Sequence, residues 1–180
     1  IRDLIKIEAN AATDNPLVFN QRELSGGNFH GMPIAIAAAQ LFNTFCGVVK
    51  ILQSILARLI DADKNRILSS CLVDFRANKA VSSGLMIAEY SAHALGHLIL
   101  SRNSTAFLHS VSSAAGREDH VSHVPTILYN LESTLPLFDH FLSIMAAMTC
   151  RTYQIIGSSK GKQVLSSAGC IIPNATMKPG

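Results

Sequence analysis

The sequence predicts an all-α fold, and three observations predict it. Apolar residues recur at helical spacing through three long segments, 34–61, 79–101 and 118–156. The β-branched alternation that marks a half-buried strand is scarce. Hydrophobic residues make up 48% of the chain and charged residues only 15%, so there is ample material for a core and little to turn toward water. A chain of 180 residues suits one domain, 1–180, able to bury roughly 70% of its unfolded surface.

Ile1 to Asn10 reads as the end of a helix, with Ile1, Leu4, Ile5 and Glu8 on one face. A pattern already under way at residue 1 reads as part of a larger chain, truncated before Ile1. Asp14-Asn15-Pro16 breaks the helix, because proline disfavours α geometry in the residue before it. Leu17-Val18-Phe19 is a short apolar run, a strand or an extended tether. Glu23 to Asn28 is expected to turn, with Gly26 and Gly27 free to take positive φ. Pro33 suits a first helical turn. From Ile34 to about Asp61 the helix is apolar nearly all round, as in the interior of a bundle. Residues 61–79 are more polar and predict a loop with a short helix. A second helix follows over 79–101, with Leu85, Met86, Ala92, Leu95 and Ile99 as core candidates. Residues 102–116, rich in Ser, Thr and Ala, form another loop. The third long helix is placed at 118–156, where Pro136 should kink or interrupt it. A break at 157–161, a short helix at 162–168 and a Pro/Gly-bearing tail complete the chain.

Several functions are disfavoured. The net charge is only +3 and the Lys and Arg residues are scattered, so no nucleic-acid stripe exists. The four Cys form no CxxC pair, which suits reduced thiols in a cytoplasmic protein. The opening IRDLIKIEAN is charged and is no signal peptide. No window of about 20 residues is free of polar groups, so no membrane span is expected. His93 and His97 stand four apart on one helical face, but position 94 is Ala and no third ligand is evident. A metal site is not expected, and the two residues read as ordinary helix histidines.

The chemistry concentrates in two motifs. In Ser25-Gly26-Gly27-Asn28-Phe29-His30 the glycines let backbone approach a ligand while Phe29 stands beside it. The bland reading is a tight loop whose Phe packs in the core. In Glu118-Asp119-His120-Val121-Ser122 a Glu opens a helix. That is electrostatically comfortable, and it also places a carboxylate where a cationic ligand could meet it.

These motifs, with Thr13-Asp14-Asn15-Pro16-Leu17-Val18-Phe19, resemble the MIO-dependent aromatic amino-acid ammonia-lyases, and within them the histidine ammonia-lyases. The resemblance covers about residues 1–156. It implies a fumarase/aspartase-like long-helix bundle, a homotetramer, and a cofactor, methylidene-imidazolone (MIO), made from the enzyme's own backbone. It implies Phe29 as a pocket wall, Asn28 and His30 as loop supports, and Glu118 as the active-site Glu. Histidine-specific members carry EDHVS, whereas lyases acting on phenylalanine or tyrosine usually have Gln at the Glu118 position. A carboxylate suits imidazole, which can donate an N–H to it.

Ser82-Ser83-Gly84 invites comparison with the Ala-Ser-Gly precursor of MIO. It falls instead where the family has Asn-Ser-Gly-Phe-Met-Ile, matched here by Ser83-Gly84-Leu85-Met86-Ile87 with Ser82 replacing the Asn. The family's true triplet, a Tyr-rich catalytic loop and a Tyr/Arg pair lie upstream of the matched region. MIO is therefore expected from a part of the enzyme outside this chain, and the 180 residues alone should be inactive. The implied reaction releases ammonia from an aromatic amino acid, most simply histidine to urocanate. An aromatic 2,3-aminomutase of the same family and an inactive helical oligomerisation module are the alternatives.

Overall fold

The computed structural model describes residues 1–74, 77–78, 81–158 and 163. The elements run α1 (Arg2–Asn10), β1 (Leu17–Phe19), β2 (Arg22–Leu24), α2 (Met32–Ile60), α3 (Ala62–Asn65), α4 (Met86–Ser101) and α5 (Val124–Gly157). Short 3-10 turns occupy Ser70–Leu72 and Ala106–His109. More than half of the residues are helical, as the apolar periodicity predicts. Of the expected helix at 162–168 only residue 163 is described, and the tail lies outside the described residues.

The chain divides into two compact units, Ile1–Val49 with Leu98–Leu137, and Lys50–His97 with the chain from Phe138 onward. In the first unit Ala35, Ala38 and Ile127 are buried, with Met32, Ala106, Phe107 and Val124 packed against them. The small alanines of α2 allow close approach here. In the second unit Leu56, Leu68, Leu72, Ala92, Phe141, Met148 and Ile155 form the core. Each large side chain among them contributes roughly 1.5–3 kcal/mol through burial. Of the residues expected in the core of α4, Ala92 and Ile99 are buried, while Leu85, Met86 and Leu95 are half-buried.

By length and composition α2 is apolar enough to cross a membrane. One face of it is nevertheless buried within the protein, through Ala35, Phe42, Cys46, Val49, Gln53 and Leu56. Another face leaves Ile36, Leu41, Val48, Ile51 and Ile55 exposed. Cys46 is buried, Cys71 half-buried and Cys150 exposed.

Four expectations are corrected. First, the turn after Phe19 is not at Glu23–Asn28. β1 and β2 pair antiparallel, Leu17 opposite Leu24 and Phe19 opposite Arg22. They are joined by Asn20 and Gln21, at φ 49° and 63°. Two successive left-handed residues give the connection whose twist matches a tight hairpin. Positive φ belongs to Gly31, at 66°, and not to Gly26 or Gly27. Second, α4 begins at Met86 rather than 79. Gly84 has φ 58°, and a Cβ there would stand 2.2 Å from the Cys71 carbonyl oxygen, so the chain must turn before the helix can start. Residues 79 and 80 lie outside the described residues.

Third, α5 begins at Val124, not 118. Pro125 fits the first turn and its ring prevents helix from continuing on the N-terminal side. His123, at φ 53°, marks the break. Fourth, Pro136 does not interrupt α5. Proline cannot donate to the Glu132 carbonyl, but Glu132 is exposed and water can serve it. One residue on, Arg102 Nη1 donates to the Ser133 carbonyl oxygen (2.5 Å) and to Ser133 Oγ (3.1 Å).

Candidate active site

The glycine loop is built outward from the hairpin. Asn15 Oδ1 accepts hydrogen bonds from Ser25 Oγ (3.2 Å) and from the Gly26 backbone N–H (3.1 Å). One side-chain oxygen thus ties the Asp-Asn-Pro turn to the start of the glycine loop. Beyond it, residues 25–29 are exposed, and Phe29 keeps 42% of its surface open. Asn28 is exposed as well. Phe29 is therefore not a core residue of this chain; it presents its ring.

The second motif lies on a hairpin-like segment before α5. Ser113 and Glu118 form an antiparallel bridge, with Ser113 N donating to Glu118 O (2.7 Å) and Glu118 N to Ser113 O (3.3 Å). Ala114, Ala115 and Gly116 make the turn between them, all at positive φ. The Val121 N–H donates to Ser110 Oγ (2.6 Å). Glu118 is exposed. It was expected to open the third helix; instead it belongs to an extended segment, because Pro125 delays the helix and Gly116 turns the chain back.

The two motifs meet within the first unit. The Phe29 and His30 rings are 4.2 Å apart between centroids, tilted by 37°. The His30 and His120 rings are 5.3 Å apart and edge-to-face, at 77°. Gly31 closes the contact, since a Cβ there would come within 3.7 Å of Val124 Cγ2 and 3.9 Å of Ser122 Oγ. Ser122 is buried. Among the described residues, His120 Nε2 is a buried side-chain nitrogen with no hydrogen-bond partner. The sequence marked Phe29 and Glu118 but gave no weight to His120, nor to Asn15 as the link between motifs. The Asp-Asn-Pro motif and the glycines were both visible; their joining through Asn15 required the hairpin.

Two other candidates lie in the second unit. His93 Nε2 lies 3.0 Å from Glu89 Oε1 one turn earlier, and among the described residues no cluster of three or more metal-ligating side chains forms. Ser82 and Ser83 line a hollow of about 240 Å³ with Ser69, Ser70, Cys71, Val73 and Met86. The triplet Ser82-Ser83-Gly84 stands just before α4. Its backbone is committed to the turn that starts α4, with the Met86 N–H donating to Ser83 O (3.3 Å) and the Leu85 N–H to Cys71 O (2.8 Å).

Comparison with known proteins gives one family. Residues 1–168 match the family model described as aromatic amino acid lyase. Histidine ammonia-lyase of Treponema denticola is 36% identical over 159 residues, spanning 83% of this chain and 30% of that protein. The structure of histidine ammonia-lyase from Trypanosoma cruzi superposes with a TM-score of 0.70 at 28% identity, over 94% of this chain and 34% of that one. Tyrosine aminomutase from Streptomyces globisporus shares the fold, with a TM-score of 0.67 at 22% identity over 99% of this chain and 35% of that one. The chain thus spans about a third of the length of the proteins it matches.

Proposed function

Because the chain belongs to the aromatic amino acid lyase family, we propose that it forms one helical domain, 1–180, of a longer cytoplasmic ammonia-lyase that converts histidine to urocanate. The observation that carries this reading is the contact between the glycine loop and the E-D-H-V-S segment through His30 and His120. That contact brings an open aromatic ring, Phe29, and an accessible carboxylate, Glu118, onto neighbouring segments of one unit. Phe29 walls the pocket. Glu118 accepts an N–H from the substrate imidazole, and Asn28 lies beside the wall. MIO, contributed from outside these residues, supplies the electrophile when present. Phe29 is the residue here that would border it; the residues of this chain do not generate it. Exclusion of water by the completed pocket would strengthen the Glu118–imidazole interaction.

Self-association completes the proposal. The exposed stripe of α2 leaves large apolar side chains to water, and so, each on its own unit, do Ile87 and Tyr90 of α4 and Leu128, Tyr129 and Leu135 of α5. A homotetramer would bury them.

The decisive experiment uses Glu118→Gln in the protein made from the longest reading frame that contains this sequence. Turnover of histidine should fall by a few kcal/mol in kcat/KM, the loss that follows removal of one charged hydrogen-bond partner. Phenylalanine or tyrosine turnover should change much less. Equal losses on both substrates would retire the histidine assignment. A β-amino acid product in place of urocanate would identify a 2,3-aminomutase, the reading that the tyrosine aminomutase fold keeps open.

A further inference from the structure

We propose that His120 is a positioning residue of this site, whose Nε2, without a partner among the described residues, takes a hydrogen bond formed when the site is filled. The inference rests on the lyase reading for the nature of the ligand, an imidazole-bearing amino acid or its enoic-acid product.

His120 is fixed from two sides. Its ring meets His30 edge-to-face, and His30 in turn lies against Phe29. Its backbone neighbour Val121 is tied to Ser110, and the following Ser122 is buried beside Gly31. In this arrangement Nε2 is buried and has no hydrogen-bond partner among the described residues. A buried nitrogen left unbonded costs stability. An apolar ring of similar shape would fill the same space at no such cost. A retained cost at the meeting point of the candidate site residues is what a group reserved for a ligand would show. The same geometry says what the bond would do. A pull on His120 is transmitted by ring contact to His30 and from there to Phe29. Filling the polar position thus sets the apolar wall.

The test compares His120→Phe with the unaltered protein made from the longest reading frame containing this sequence. Phenylalanine keeps the ring contact with His30 and removes the nitrogen. Thermal unfolding should show an unchanged or raised Tm, since an unpartnered buried nitrogen has been removed. In the same variant kcat/KM for histidine should fall about 10- to 100-fold, with His120→Gln recovering part of the loss because it restores a polar group. A merely structural role predicts the reverse pattern, a lowered Tm with kcat/KM intact, and that would overturn the proposal. Imidazole ¹⁵N spectra supply a readout that needs no turnover. The His120 Nε2 resonance should move when urocanate is added, while that of His93, already paired with Glu89, stays in place. Urocanate binding that moves other resonances but leaves His120 still would refute the positioning role alone. No binding and no turnover by the unaltered protein would refute the lyase reading, and with it the ligand assigned to His120.

Discussion

Gly96 of α4 should not tolerate even one added methyl group. A Cβ built on Gly96 falls 2.2 Å from Gln53 Nε2, 2.6 Å from its Cδ and 3.2 Å from its Cγ. Gln53 has little freedom to retreat, for it is only 8% exposed and its amide donates to the His93 carbonyl (3.3 Å). Three terms decide the outcome of Gly96→Ala. Replacing glycine inside a helix favours the variant by about 1 kcal/mol. Overpacking opposes it by about 1–3 kcal/mol. Loss of the Gln53 hydrogen bond, leaving a buried amide unpaired, opposes it by about 1–3 kcal/mol more. The sum is a net destabilisation of about 1–5 kcal/mol, lowering Tm by at least about 2–4 °C for a chain of this size. Circular dichroism at the helical band during heating reads it directly. The pair Gln53→Ala with Gly96→Ala should recover much of the loss, because the obstructing side chain is gone and the helix-propensity gain remains. A Gly96→Ala variant that melts higher than the parent would refute the reasoning.

Asn15→Ala should cost about 1 kcal/mol, since two exposed hydrogen bonds to one oxygen disappear; faster amide exchange at Gly26 checks it, and Asn15→Asp, which keeps the acceptor, should leave that amide protected. Asp61 caps α3 by accepting from the Asp63 and Lys64 N–H groups and pairs with the Lys64 ammonium. The Lys64 side-chain hydrogen bond is the main cause of its lowered pKa. Because the folded-state pKa lies below the unfolded one, the Asp61 contribution is present above the ordinary carboxylate pKa and is lost as pH falls through the lowered value. Asp61→Asn should therefore narrow its stability gap to the parent on acidification below about pH 4, and a constant gap through that range would contradict it. Sedimentation equilibrium of the 180-residue chain should reveal oligomers at micromolar concentration; a soluble monomer would count against burial of the α2 stripe.

The long helices were legible because their signal is repetitive. Most buried positions of α2, such as Ala35, Ala38, Phe42, Val49 and Leu56, add to the same period, and no single residue decides it. Ends and turns depend on one or two residues, and there reading fails in identifiable ways. Side-chain periodicity starts the third helix near Glu118 because it takes no account of the ring of Pro125. Likewise the paired glycines drew the turn toward themselves, while Asn20 and Gln21 adopted the left-handed geometry that makes it. Within the candidate site, Phe29 and Glu118 could be singled out as residue types in motifs. The exposure of Glu118 could not, since it follows from the bridge to Ser113. Nor could the isolation of His120 Nε2, which is a property of one atom and its surroundings.

The proline in α5 carries a consequence for how the molecule exchanges its amide protons. A helix with an internal proline has one rung missing, and the exchange of neighbouring amides would ordinarily quicken there as the turn breathes. Here the guanidinium of Arg102 grips the backbone beside the gap, at Ser133. The side chain acts as a splint for a ladder that its own sequence has cut. Deuterium uptake along α5 should therefore run smoothly past Pro136, and the fast-exchanging turn that proline normally creates would surface only once the arginine is taken away.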